Sequence, residues 1–235
     1  MKTRFNRLAF TLLFLSLSSQ AGEGGIRLGQ TRVIFSSADK AQTITLSNSS
    51  QRAYLIQSRV QKGPEDTAAA PFITTPPLFS LKGKSSQILR ILPQNSALPA
   101  DRESLFYLSV SAIPARTEPV MSDDRLSVGV RFLLKLFYRP QGLPEADACS
   151  LTFSKDAQGL RIANPGAYYH TLGALSINGR SVPLDQQPVM VAPESSFSLA
   201  VDGPLRNIVW QTITDHGGLS PRCEQKSSVA GETSP

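Results

Sequence analysis

Short runs of alternating apolar and polar residues, separated by turn residues, cover most of the chain beyond residue 40. In the run Gln42–Asn48, Ile44 and Leu46 lie on one side, as in a strand with one buried face. No stretch keeps a helical period through four turns with caps at both ends. The further strand-like runs are Ala53–Val60, Gln87–Leu92, Ser104–Ile113, Leu126–Tyr138, Cys149–Phe153, Gly159–Ala163, His170–Ile177, Ser196–Val201, Asn207–Thr214 and Leu219–Glu224. The pattern predicts an all-β chain built of antiparallel β-sandwiches.

A segment rich in proline and glycine, Arg139–Pro144, interrupts this pattern. Proline cannot donate a ladder hydrogen bond, so the segment cannot continue a central strand. The alternation resumes at Cys149. We therefore expect one β-sandwich domain over residues 22–140, a second over residues 144–226, and a polar, flexible tail over residues 227–235.

The N-terminus has the organisation of a secretory signal peptide. Lys2, Arg4 and Arg7 precede an uncharged apolar run, Leu8–Leu17, and a segment of small residues that ends at Ala21. The run is too short to span a bilayer, which needs about 20 apolar residues. Cleavage of residues 1–21 is therefore favoured over a membrane anchor, and we expect no membrane span in the mature chain.

The net charge of +6 suggests a nucleic-acid partner until this segment is removed. Three of the 24 basic residues and none of the 18 acidic residues lie in residues 1–21. The mature chain keeps 21 basic and 18 acidic residues, a net charge of +3. A charge of that size is typical of an ordinary surface, so we expect no nucleic-acid partner.

Export would place Cys149 and Cys223, the two cysteines of the chain, in an oxidising compartment. A disulfide is favoured over two free thiols there. Both residues fall in the predicted second domain, so we expect one bridge within it.

The sequence contains no signature of catalysis or of cofactor binding. It has no Gly-x-Ser-x-Gly, His-Glu-x-x-His or Cys-x-x-Cys motif. The segment Gly83–Ser85 resembles the end of a P-loop, but Leu78 stands where the earlier glycine is needed, and we interpret it as a hairpin turn. No spacing links His170 or His216 to a nucleophile. We expect neither an enzyme nor a bound metal or cofactor, and a periplasmic hydrolase is the weakest alternative.

The longest predicted strand, Leu126–Tyr138, contains an apolar ladder. Leu126, Val128 and Val130 alternate with a serine, a glycine and an arginine. If the three face outward along a sheet edge, they form an apolar strip beside unpaired backbone groups, which would aggregate without a partner strand. The periodicity is equally compatible with three residues that face their own core.

The segment Lys135–Pro140 (KLFYRP) resembles a motif of the PapD-like periplasmic chaperones, which assemble pili and fimbriae in the chaperone–usher pathway. The resemblance covers nearly the whole mature chain in the expected order. The segment between Ile113 and Leu126 is short, as in the short-loop branch, which generally serves rod-like pili. The other segments that resemble the family are Thr31–Phe35, Phe72–Pro77 (a conserved loop), Asp101–Tyr107, Asn164-Pro165, Tyr168-Tyr169 and Asp215–Gly218.

The resemblance implies two immunoglobulin-like β-sandwich domains that meet at an angle and leave a cleft. In that cleft, Arg32 and Lys135 are similar to a pair of basic residues that binds the C-terminal carboxylate of a pilus subunit. Two cations in a partly desolvated cleft can hold one carboxylate by charge-assisted hydrogen bonds.

The resemblance also implies a role for the long strand. A pilus subunit is a sandwich that lacks one strand, and the chaperone fills the groove by donor-strand complementation. The implied donor residues are Leu126, Val128 and Val130, extended by Phe132. Lys135 lies an odd number of residues from the members of this ladder, so in a regular strand its side chain would point to the opposite face. We therefore expect a bulge or a strong twist between Lys135 and the ladder.

Glu103, Arg139 and Asp215 resemble an ion-pair network of the family that fixes the angle between the domains. The function implied is an ATP-independent periplasmic chaperone that captures fimbrial subunits and delivers them to an outer-membrane usher. When free, such a chaperone could cap its own apolar edge as a homodimer, which the sequence leaves open. The alternative is a structural protein, either a fimbrial subunit or an adhesin with two immunoglobulin-like domains.

Overall fold

The computed structural model describes residues 24–95, 97–115, 128–157, 159–185 and 189–226. Within these ranges the chain forms 17 β-strands and no helix, which confirms the all-β class. No helix that could cross a membrane is found in the described part. The first nine strands are β1 Ile26–Leu28, β2 Arg32–Ser36, β3 Gln42–Asn48, β4 Tyr54–Gln61, β5 Phe72–Thr75, β6 Leu78–Leu81, β7 Ser85–Pro93, β8 Ser104–Pro114 and β9 Val130–Arg139. The other eight are β10 Thr152–Asp156, β11 Gly159–Asn164, β12 His170–Ile177, β13 Arg180–Ser181, β14 Met190–Val191, β15 Ser195–Ala200, β16 Asn207–Thr212 and β17 Cys223–Lys226.

The first nine strands form two sheets that enclose one core. One sheet has the order β1-β3-β7-β5 and the other the order β2-β9-β8-β4-β6. One face of β4 packs on this core, because Ile56, Ser58 and Val60 are buried while the residues between them are exposed. The fully buried side chains of this core include Phe35, Ile44, Leu46, Leu89, Ile91, Leu108 and Leu136.

The last eight strands enclose a separate core. Their sheets have the orders β10-β11-β15 and β13-β12-β16-β17, with β14 paired to β12. Trp210, the single tryptophan of the chain, is buried here, and its ring lies 4.6 Å from that of Phe153, centroid to centroid. Two sandwiches joined in series confirm the predicted architecture.

The prediction of a loop over Phe72–Pro77 is wrong for its first four residues. These residues form β5, which pairs with β7 at the sheet edge. Phe72 is buried, and its ring centroid lies 5.2 Å from that of Phe35 and 5.4 Å from that of Phe106. Core packing keeps this short segment extended, whereas the resemblance to the family implied a loop.

Several predicted features lie outside the described residues. They are the signal peptide (residues 1–21), the tail (residues 227–235), most of the short loop and the donor residue Leu126. The strand predicted from Leu126 begins at Val130, and Val128 precedes it.

The predicted disulfide between Cys149 and Cys223 is confirmed, with the two Cα atoms 5.4 Å apart. It joins the segment before β10 to β17, the two strands at one side of the second sandwich. Gln225 reinforces this junction, because its carboxamide accepts from the Phe153 N–H (2.9 Å) and donates to the Phe153 carbonyl (2.7 Å). The C-terminal strand is therefore held to the opposite sheet covalently and by hydrogen bonds.

Removing the disulfide is expected to destabilise the second domain selectively. The bridge spans 74 residues, and closing a loop of that length is worth about 4 kcal/mol in the chain-entropy model. We expect Cys149→Ser with Cys223→Ser to lower the urea midpoint of the Trp210 fluorescence transition. Unfolding of the first domain, followed by hydrogen exchange of β3 and β8, should not change. Equal destabilisation of both domains would contradict this account.

Candidate functional site

Strand β9 has a partly free edge. On one side it pairs in antiparallel register with β8 from Val130 to Tyr138. On the other side it pairs in parallel with β2, but only from Lys135 to Arg139. Among the described residues, the stretch Val130–Leu134 therefore has no strand on that side. Such an edge presents N–H and C=O groups that another strand can bond.

Apolar side chains lie at the start of this free stretch. Val128 is 64% exposed and Val130 is 50% exposed. Val130 pairs with Ala112, which is buried, so Val130 continues the core-facing side of the sheet beyond the end of the core. Phe132 is partly buried and packs against the first core. The exposed part of the predicted ladder in the described residues is therefore Val128 and Val130.

The bulge expected between the ladder and Lys135 is absent. The register between β8 and β9 runs without a shift from Val130 to Tyr138. Leu134 and Leu136 are buried, so Lys135 lies on the outer face of the sheet. Lys135 needs no bulge to reach a main-chain group such as a terminal carboxylate, because that group lies in the plane of the partner strand. A cation above that plane can reach it while alternate side chains enter a groove on the other face.

Arg32 and Lys135 are Cα partners across β2 and β9, at the point where β2 begins. The Arg32 guanidinium donates to the Ile213 carbonyl at 3.4 Å, and Lys135 Nζ donates to Thr171 Oγ1 at 3.4 Å. Both bonds are longer than usual, and both acceptors belong to the second domain. In the described part of the chain, no carboxylate lies within ion-pair distance of either cation. The buried Nε of Arg32 has no acceptor.

The two cations are partly desolvated. Burial lowers the pKa of the Lys135 ammonium, and the charge of Arg32 lowers it further. Burial also lowers the pKa of Arg32, an effect that Asp215 opposes. Two like charges side by side with weak hydrogen bonds favour a bound anion, because an anion would compensate both.

The three residues predicted as an ion-pair network lie together at the domain junction. Arg139 Nε donates to Glu103 Oε1 at 2.9 Å, and its two terminal nitrogens donate to Asp215 at 2.8 and 3.0 Å. The side chain of Glu103 is only 2% exposed, and its second oxygen accepts from the Tyr169 N–H at 2.9 Å. The guanidinium of Arg139 also lies 5.0 Å from the ring centroid of Tyr168. Arg139 therefore connects a buried carboxylate of the first domain to a carboxylate of the second.

The environment keeps Arg139 charged and makes an unpaired Glu103 costly. Burial lowers the pKa of Arg139, but hydrogen bonds and charges from Asp215 and Glu103 outweigh it and raise that pKa. Burial raises the pKa of Glu103, against the Tyr169 N–H and Arg139, which lower it.

Other contacts at the junction were not predicted from the sequence. Arg102 forms an ion pair with Glu194 of the second domain. The rings of Phe137 and Tyr169 lie 5.7 Å apart, centroid to centroid. No local pattern signals these contacts, because they depend on how the domains pack.

Gly217, in the turn Asp215–Gly218, lies close to the first domain. Gly217 has a φ of +85°, and a Cβ built there would lie 2.7 Å from Thr31 Oγ1. The positive φ and the close approach to Thr31, which precedes Arg32, both favour glycine at position 217.

Two family models match successive parts of the chain. Residues 25–144 match the model described as "Pili and flagellar-assembly chaperone, PapD N-terminal domain". Residues 147–224 match "Pili assembly chaperone PapD, C-terminal domain".

Curated proteins and solved structures agree with these matches. Chaperone protein FimC of Escherichia coli K12 is 37% identical over 224 residues, covering 93% of this chain and 91% of FimC. A chain in the complex of the Salmonella enterica SafA pilin with the SafB chaperone has a TM-score of 0.78 at 28% identity, covering 87% of this chain and 97% of its own length. The E. coli chaperone DraB has a TM-score of 0.74 at 31% identity, covering 87% and 97%.

Proposed function

The chain belongs to the PapD family of pili-assembly chaperones, and we propose that it captures a fimbrial subunit by strand addition along the free edge of β9. The family assignment makes it a fimbrial chaperone rather than a structural subunit or adhesin. The proposal concerns the mode of subunit binding and the residues that bind the subunit.

The observation that carries the proposal is that β2 begins at Arg32, which leaves the edge of β9 before Lys135 unpaired in the described residues. A strand that pairs with β9 along Val130–Leu134 occupies the line that β2 continues from Arg32 onward. Its end therefore meets Arg32 and Lys135. Because two cations favour a carboxylate, that end is the C-terminus, and the captured strand runs parallel to β9.

The two parts of this site have different tasks. The paired cations fix the register of the captured strand by holding its last residue. Val128 and Val130 then supply apolar side chains to a subunit that lacks a strand of its own, with Leu126 and Phe132 as the outer members of the implied donor set. Main-chain hydrogen bonds along the edge add affinity that does not depend on the subunit's sequence.

We also propose the setting in which this chaperone works. The signal-like N-terminus and the disulfide favour the periplasm, and the structural relative SfaE is described as a periplasmic chaperone. We propose that the chaperone delivers the subunit to an outer-membrane usher without a cofactor, a role that the family assignment supports. When no subunit is present, a second copy could pair with the same edge, so a homodimer should compete with capture.

A charge in the ladder should prevent capture. We expect Val130→Arg to weaken capture of the cognate subunit by about tenfold or more, because it removes a valine that the complex would bury and places an unpaired cation in an apolar groove. Coexpression in the periplasm followed by copurification measures the yield of the soluble 1:1 complex. The free variant should keep its thermal stability, because Val130 is half exposed.

The matched control is Ile88→Arg. Ile88 is 55% exposed on β7, in the other sheet of the same domain. It should leave capture unchanged. Equal losses in the two variants would show that charge or folding, and not the β9 edge, determines the yield.

A further inference from the structure

A cavity of about 430 Å³ lies beside Arg32, at the junction of the domains. The first domain contributes Arg32, Ile34, Gln42 and the turn Gly29–Thr31, and the second contributes Asp215 and His216. Its volume is ample for one side chain. Lys135 is not among the residues that line it, so the cavity is separate from the space between the two cations.

We propose that this cavity receives the side chain of the subunit's C-terminal residue, and that it selects a neutral polar one. The inference rests on the proposed function. A strand that runs parallel to β9 and ends at Arg32 places its last residue next to the turn Gly29–Thr31, which immediately precedes β2. Successive residues of a strand are only about 3.3 Å apart, so the last side chain is the one within reach.

The polar groups of the cavity determine which side chain fits. Gln42 donates from Nε2 to Asp39 Oδ2 at 2.6 Å, which orients its carboxamide and leaves the oxygen as an acceptor. The buried Arg32 Nε is a donor without an acceptor. A donor and an acceptor in one cavity match a carboxamide or a hydroxyl.

Other side chains meet a penalty in this cavity. An apolar side chain would leave Arg32 Nε unpaired. A carboxylate would accept from Arg32 Nε, but it would face the carboxylate of Asp215 and the oxygen of Gln42, and the terminal carboxylate of the subunit already compensates the charge of Arg32. A lysine would face the charge of Arg32. Each mismatch lowers affinity, so the cavity adds specificity to an anchor that recognises only the terminal carboxylate.

A peptide series tests the inference on the intact chaperone. The probe is acetyl-Thr-Val-Thr-Val-Thr-Val-X with a free C-terminus, in which X is Gln, Ser, Leu, Glu or Lys, and a C-terminally amidated form of the Gln peptide. Isothermal titration calorimetry gives the dissociation constants. We expect the Gln and Ser peptides to bind about five- to tenfold more tightly than the Leu, Glu and Lys peptides, the size of effect expected for one neutral hydrogen bond.

Two variants locate the selectivity. Gln42→Leu should reduce the ratio between the Gln and Leu peptides to about one. Gln94→Leu makes the same chemical change at an exposed position after β7, away from the cavity, and should keep the wild-type ratio. A melting temperature measured for each variant separates misfolding from a change in selectivity.

The outcomes distinguish this inference from the proposed function. If amidation abolishes binding but X has no effect, binding of the terminal carboxylate by Arg32 and Lys135 is supported and the cavity inference is overturned. If amidation has no effect, or if none of the peptides binds at 1 mM, capture at Arg32 and Lys135 is itself wrong, and the cavity inference is wrong with it. If the ratio persists in Gln42→Leu, another group provides the selectivity and the inference is overturned.

Discussion

Lys135→Met is expected to weaken subunit capture by about 10- to 100-fold while leaving the free chaperone at least as stable as before. A charge-assisted hydrogen bond contributes about 1.5–3 kcal/mol, which corresponds to this range of affinity. Methionine keeps the length of the side chain and removes the charge. Burial and the charge of Arg32 both lower the pKa of Lys135, so the charged ammonium is electrostatically unfavourable in the free protein. Its removal should therefore not destabilise the fold.

The measurement is the affinity of the purified variant for its cognate subunit, together with its urea midpoint. Lys82→Met is the matched control, since Lys82 is exposed in the same domain, and it should change neither quantity. Unchanged capture by Lys135→Met would contradict the anchoring role. A lower urea midpoint would instead indicate that Lys135 stabilises the domain junction.

Arg139→Met is expected to destabilise the protein by about 3–5 kcal/mol at pH 7, because it leaves the buried Glu103 charged and without its cation. Burial raises the pKa of Glu103, and without Arg139 this effect is larger. A carboxyl whose folded pKa is raised favours folding below its unfolded pKa and opposes folding as the pH rises above it. The loss in free energy of unfolding caused by Arg139→Met should therefore shrink towards pH 4, which is below the ordinary pKa of a glutamate, 4.5.

A double variant tests whether the unpaired charge is the cause. Arg139→Met with Glu103→Gln should recover most of the stability at pH 7 and lose the pH dependence of the deficit, measured by urea unfolding. Arg102→Met is the comparison, since the exposed pair of Arg102 and Glu194 should contribute at most about 1 kcal/mol. A deficit of the same size in all three variants, or one that does not change with pH, would contradict this explanation.

The alternation of apolar residues was enough to predict many of the strands that form the two cores, although not β2, β6 or β14, which also contribute buried residues. Runs such as Gln42–Asn48 and Asn207–Thr214 bury one side, and their period directly reflects that burial. It was not enough for β5, where four residues between prolines are held extended by Phe72 in a cluster of aromatic rings. Tertiary packing decided the structure there.

Some residues of the site could likewise be identified from the sequence, and others could not. Arg32 and Lys135 were identified through the resemblance to a family, and their pairing depends on a parallel register between β2 and β9 that no local pattern encodes. The resemblance also indicated Arg139 as an interdomain residue. Thr171, Ile213 and Gln42 could not be found in this way, because their significance comes from the contact between domains. The same periodicity could not decide the face of Val130, which continues the core side and is nevertheless half exposed because the sandwich ends there.

Backbone amide exchange along β9 tests strand addition most directly. In the free chaperone, the amides of Val130–Leu134 that point away from β8 should exchange quickly, while those bonded to β8 are protected. In a stoichiometric complex with the cognate subunit, we expect exchange of the outward-pointing amides to slow by about tenfold or more, with no change in β3 of the other sheet. A stoichiometric complex in which these amides exchange as fast as in the free protein would contradict capture at the β9 edge.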